Sequence, residues 1–279
     1  MVAEAVAMAV FCSMICKASP RIASRIMKRR REAHRAWFDA GATEYAASPD
    51  PNGEWARSLP RLIDDRAIGR EDAETATALG VPNLPGTSEL PTKAEIDARF
   101  ALSNRSASRL GDLLAVAGAA YGAALPLLGA DLAQTAILGA IAGTCALMAI
   151  VDQRCRIITN GTIGTLCALG ICLRIACGQQ SEIALICAAA IALCLLMYAA
   201  DAVYARLHSG RRAFGDADKK IMAAINLCSG ASGVAVAVAT LIASLAATAI
   251  LCKDRAAKRA FGPYAAAAIL TGAIASATM

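Results

Sequence analysis

Leu132–Asn160 reads LAQTAILGAIAGTCALMAIVDQRCRIITN. The run from Leu132 to Val151 is apolar or small almost throughout and has about the 20 residues that an α-helix needs to cross a bilayer core. It ends on a carboxylate, Asp152, which Arg154 and Arg156 follow. A charge at the edge of hydrocarbon is costly, so an acid placed there is a functional candidate by default. A second acid, Asp218, stands just before another apolar run that opens at Ile221.

Apolar runs recur on both sides of this stretch, at Leu110 to Ala130, Ile157 to Cys177, Glu182 to Tyr204, Ile221 to Cys228, Gly233 to Cys252 and Phe261 to Ala277, with a shorter one, Val2 to Cys16, at the start. With 57% hydrophobic and 4% aromatic residues in a chain of 279, the composition is too apolar for an ordinary soluble domain, and the length is too great for one membrane hairpin. The expected fold is all-α, a polytopic membrane helix bundle of about seven to eight segments with a cytoplasmic N-terminal region. Abundant Ala and Gly suit close approach of its helices. Nine of the eleven cysteines lie from Cys145 onward, mostly inside apolar runs, and read as buried reduced thiols. No CxxC pair occurs and the histidines are His34 and His208 alone, so the expected chemistry uses no metal and no cofactor.

Loop charge orients the bundle. Arg154 and Arg156, then Arg206, Arg211, Arg212, Lys219 and Lys220, then Lys253, Arg255, Lys258 and Arg259 fall in alternate connections. These connections are expected on the cytoplasmic side, and with them both Asp152 and Asp218. The pattern requires Ile221 to Cys228 and Gly233 to Cys252 to run in and back out, breaking at Ser229 to Gly233. The basic cluster from Lys17 to Arg35 is likewise read as cytoplasmic and beside anionic lipid. Nucleic acid is the rival partner for such a run and is set aside because an apolar segment adjoins it. Val2 to Cys16 carries its positive charge after the apolar stretch, the reverse of a secretory signal. It is read as a membrane helix with its N terminus outside, or as an interfacial helix.

Residues 17–109 are polar and rich in proline, with turn signals at Pro49 to Gly53 and Asn83 to Gly86, and are expected to form helical pieces with flexible connections. Thr92 and Glu95 form a capping box that predicts a helix over Lys93 to Leu102. The chain therefore divides into a helix over 1–16, a cytoplasmic region over 17–109, and a membrane-embedded part over 110–279.

Three motifs carry a resemblance. Asp152-Gln153-Arg154-Cys155-Arg156-Ile157-Ile158-Thr159-Asn160 resembles the D-x-R-x-x-x-I-P-N segment of type IV prepilin peptidases, with Thr159 in place of proline. Gly215-Asp216-Ala217-Asp218-Lys219-Lys220-Ile221 is similar to that family's G-x-G-D-x-K-L, with Ala217 for the second glycine. Phe261-Gly262-Pro263-Tyr264 is similar to the F-G-P-F that opens its last helix, and the three occur in the family's order. The resemblance covers Leu110 onward. It implies a membrane aspartyl protease in the inner membrane that cleaves the basic leader of prepilin-like proteins on the cytoplasmic side, with pilus or secretion assembly proteins as further partners. It also implies a peptidase without the paired CxxC motifs that accompany the family's methyltransferase activity.

Asp152 and Asp218 are the expected catalytic pair. The family lysine lies two residues after its aspartate, as Lys220 does after Asp218, and Asp216 is the alternative acid. Two close carboxylates cannot both ionise cheaply, so one keeps a proton while the other activates water. Gly215, Ala217 and Lys220 are read as substrate or loop support, together with Arg154, Asn160, Gly262 and Pro263. For Gly215 this means loop geometry or room for a substrate strand; for Lys220 it means charge screening, a substrate carboxylate or plain snorkelling. Asp112, Asp131 and Asp201 are read as hydrated interface markers, Arg154 and Arg156 as positive-inside anchors, and Tyr264 as an interface aromatic. A transporter or assembly scaffold using membrane acids, an inactive peptidase homologue, and a presenilin-like enzyme are the other readings. The last lacks its Pro-Ala-Leu element here.

Overall fold

In the computed structural model, residues 2–64, 68–82, 84, 90–208, 215–251 and 260–278 are described, and no strand occurs among them. The helices are α1 Val2–Ala47, α2 Glu54–Asp64, α3 Arg70–Ala78, α4 Lys93–Phe100, α5 Asn104–Leu127, α6 Leu132–Cys155, α7 Asn160–Ala176, α8 Ile183–Leu207, α9 Asp216–Leu251 and α10 Gly262–Thr278. Contacts divide the chain into two compact units, Met1–Ala23 with Arg105–Met279, and Ser24–Asn104. Arg211, Arg212, Lys253, Arg255, Lys258 and Arg259 of the charge pattern, and Asn83, Pro85 and Gly86 of the expected turn, lie outside the described residues.

In the larger unit, α6, α7, α9 and α10 enclose a core that includes Leu138, Ile141, Met148, Leu166, Leu173, Ile221, Ile225 and Ile269. Among the described residues, five helices are long and apolar enough to cross a membrane, and they lie in α1, α5, α6, α8 and α9. The expected seven to eight segments also take in α7 and α10, which have 17 residues each, and count α9 as two. Leu185, Ile191, Leu195 and Leu196 of α8 face outward, as do Leu113 and Val116 of α5, an apolar exterior compatible with lipid. The first turns of α1 pack very closely on α5 and α6. A Cβ on Gly118 would lie 2.7 Å from the Cys12 carbonyl oxygen, and the next seam glycine, Gly122, meets Met8 at 2.8 Å. On α6 the corresponding pair is Gly139 and Gly143, against Cys12 and Ile15. Both pairs have the four-residue spacing that lets membrane helices meet backbone to backbone.

The helix recorded as α9 is two helices meeting at Gly230, whose φ of 60° and ψ of −170° are not helical. That conformation is essentially restricted to glycine. A Cβ on Gly272 of α10 would lie 2.8 Å from both Ser229 Cβ and Ala237 Cβ. Eight residues of straight helix span about 12 Å, so a straight α9 could not bring both to one point. The chain folds back at Gly230, as the break expected at Ser229 to Gly233 requires, and Thr271 Oγ1 donates to Thr240 Oγ1 at 3.0 Å on the returning arm. Arg174 of α7 closes the bend: Nη2 donates to the Cys228 carbonyl at 2.9 Å, and Nη1 donates to Gln179 Oε1 at 2.7 Å and to Ser276 Oγ.

The smaller unit has its own core, built from Phe38, Tyr45, Trp55, Leu59, Ile63, Ile68, Ala73, Ala76 and Leu90. Thr92 caps α4, accepting from the Glu95 N–H at 3.2 Å, while the Glu95 carboxylate accepts from the Thr92 N–H at 2.7 Å. One expectation is corrected: α1 does not stop near Cys16 but continues, through Pro20, to Ala47. Lys, Arg, Glu and Ala in this stretch are good helix formers, and Met27, Arg31, Phe38 and Tyr45 recur at helical spacing on a buried face. Arg31 tolerates burial because its Nε donates to Asp97 Oδ1 at 2.8 Å, and Arg35 donates to the other oxygen.

Replacing Gly230 with Ala forces a side chain into a glycine-only conformation and onto the Arg174 guanidinium. It is expected to lower stability by about 1–3 kcal/mol in detergent unfolding. Gly161→Ala, at an open position in α7 with nothing within 4 Å, is the contrasting control and should be neutral or slightly stabilising.

Candidate active site

Asp152 occupies the last turn of α6, buried at 4% exposure. The helix ends within one turn of it: Arg156 adopts the left-handed conformation at φ 53° and ψ 41°, and its N–H donates to the Asp152 carbonyl at 2.8 Å. This bend turns the chain into α7. Thr159 then caps α7, its Oγ1 accepting the Thr162 N–H at 3.2 Å. At this position a proline would start a helix by its fixed φ, whereas threonine does so by supplying an acceptor. Asn160 opens α7, and Arg154 is exposed in the last turn of α6.

The second acid stands in the first turn of α9. Gly215 N–H donates to Asp218 Oδ2 at 3.3 Å, and a Cβ on Gly215 would lie 3.1 Å from that oxygen. Ala217 is already helical and half-buried against the core, so no glycine conformation is required of it. The start of α10 treats Asp152 in the same way. Gly262 N–H donates to Asp152 Oδ2 at 2.5 Å, and a Cβ on Gly262 would lie 2.7 Å from Asp152 Cβ. Pro263 falls in the first turn of α10, where its missing N–H has no helical partner to lose.

Four helix ends therefore meet: the C-terminal end of α6 and the N-terminal ends of α7, α9 and α10. Lys220 Nζ donates to Asn160 Oδ1 at 3.2 Å and ties α9 to α7. Helix N-termini favour negative charge, so the convergence suits carboxylates. Two carboxyl groups at such a place can share one proton, and the pair can then take a proton from water and return it.

Asp216, the alternative acid, is ion-paired to Lys219 at 3.1 Å. Asp131 is the N-cap of α6, accepting from the Gln134 N–H at 2.7 Å, and Asp112 pairs with Lys17 at 3.1 Å. One expectation is corrected. Asp201 is no hydrated marker: it is buried, with its carboxylate 2.6 Å from Lys219 Nζ. Tyr264, read as an interface aromatic, is half-buried against the core at the start of α10. Lys219 itself, 1% exposed and 4.5 Å above the Tyr198 ring, was not marked by any motif. The usable signal was Tyr198 and Asp201 at i and i+3, one polar face on an otherwise apolar helix. Among the described residues no group of three His, Cys, Asp or Glu side chains could hold a metal ion.

Because Asp152 serves as the acceptor for the start of α10, Asp152→Ala is expected to cost about 1 kcal/mol of stability, the usual value of a lost cap. Asp152→Asn keeps an oxygen for the Gly262 N–H and should unfold close to wild type. Thermal unfolding of the two variants in the same detergent makes the comparison.

No family model, curated protein or solved structure matches the chain. What the site does is therefore argued from its own residues.

Proposed function

We propose that the chain is a membrane aspartyl endopeptidase that removes the leader peptide of type IV prepilin-like proteins at the cytoplasmic membrane face, with Asp152 and Asp218 as its catalytic pair. What supports the reading is that Asp152 and Asp218, at the ends of two separate helices, each have a carboxylate oxygen bonded to the N–H of a glycine, Gly262 and Gly215, while Lys220 of the Asp218 turn reaches Asn160 just beyond the Asp152 helix. In this reading one carboxyl is protonated and the other ionised. The ionised group takes a proton from water as the oxygen attacks the scissile carbonyl, and the protonated group donates to the carbonyl oxygen. Collapse of the tetrahedral intermediate transfers a proton to the departing amine nitrogen, the C–N bond breaks, and the pair returns to its starting state.

The pairing of Asp216 with Lys219 favours Asp218 as the second acid. Sidedness rests on the positive-inside pattern, with Arg154 and Arg156 flanking the pair.

Co-expression with a candidate prepilin tests the proposal. Asp152→Asn and Asp218→Asn are each expected to reduce leader removal by about 10²–10⁴-fold, while Asp216→Asn retains it. Wild-type cleavage by either of the first two variants would sink the reading.

A further inference from the structure

The N-terminal arm of α9 carries two stripes. Asp218, Ile221, Ile225 and Cys228 follow one another at helical spacing, and the last three are buried in the core with α6, α7 and α10. Lys219, Ala223 and Leu227 form the second stripe, about 100° around the helix. Ala223 and Leu227 pack with Ile186 and Ala190 of α8. Beyond Ala190, Asp201 is the sole buried residue of α8. It reaches the end of the second stripe, where Lys219 Nζ lies 2.6 Å from Asp201 Oδ2, 3.1 Å from Asp216 Oδ1 and 4.5 Å above the Tyr198 ring.

A buried ion pair is weak as a source of stability, since removing two charges from water offsets most of their attraction. It is strong as a directional restraint, because each charge is left uncompensated if the helix turns. We infer that Lys219, held by Asp201, is a positioning residue for Asp218. The lock fixes the rotation and height of the first turn of α9, so that the next side chain back along the helix faces Asp152. Asp216 and Tyr198 complete the seat of the ammonium group. The apolar contacts between α8 and α9 begin one turn further into α9, at Ala223, and involve Ile186 and Ala190 near the start of α8.

The inference rests on the proposed peptidase reading, and its test separates the two. Lys219→Met alone removes the cation paired with the buried Asp201 carboxylate and is expected to destabilise the protein. Lys219→Met with Asp201→Leu removes both charges and should unfold near wild type. In that stable double variant kcat for leader cleavage is expected to fall about 10-fold with KM unchanged, the signature of misplaced chemistry. Lys219→Arg should restore it. Independently of activity, Asp152→Cys with Asp218→Cys is joined by a short bifunctional thiol reagent in membranes, and the linked peptides are quantified by mass spectrometry. The yield should drop when the double apolar change is added, with Lys219→Gln intermediate. Unchanged cross-linking in both backgrounds, or wild-type kcat in the stable double variant, overturns the positioning role. If the wild-type protein cleaves no prepilin but the cross-linking follows the expected order, the peptidase reading fails and the restraint stands.

Discussion

A helix begins with N–H groups that have no partner within the helix, and in a water-poor setting they must find an acceptor elsewhere. For α10 that acceptor is Asp152, on a helix far away in the chain. The tie places an acid at the end of α6 and the start of the last described helix against each other. Gly262 permits the contact, because any side chain there would strike the carboxylate. The Phe-Gly-Pro string thus has a physical content apart from any resemblance: a glycine whose N–H meets the acid, and a proline that starts the helix without needing a donor bond.

The second acid depends on a different constraint. Asp218 sits at the start of an arm that must end early enough for the chain to reverse, and the reversal at Gly230 makes this possible. Without it, α9 as a straight rod of about 54 Å would overrun a bilayer core of about 30 Å. Arg174 is buried at the bend, where it serves the carbonyl of Cys228 and the hydroxyl of Ser276. The far end of the bundle therefore sets the depth at which Asp218 stands, much as Asp201 and Lys219 set its direction.

The apolar runs made the helical architecture readable, and the Thr92 and Glu95 box marked α4 because capping is a local matter of four residues. The two acids could be singled out because charge next to hydrocarbon is conspicuous. Other features escaped for physical reasons. The stretch after Cys16 is strongly basic, and its charge hid a buried face of Met27, Phe38 and Tyr45 that only helical spacing reveals. Asp201 resembled any acid near the end of an apolar run; its burial depends on Lys219, which arrives from another helix. Thr159 and Ala217 looked like departures from a pattern, yet one caps α7 and the other needs no special backbone.

The order in which these parts occur along the chain has a temporal meaning. Asp152 and Asp218 both precede α10, so during synthesis both acids are made before the helix whose N–H groups orient the first of them. Until Gly262 and the turn after it have been added and packed, Asp152 lacks its fixed acceptor geometry. On the proposed reading, a hydrolytic pair assembled this way stays idle until α10 has been made and packed against Asp152.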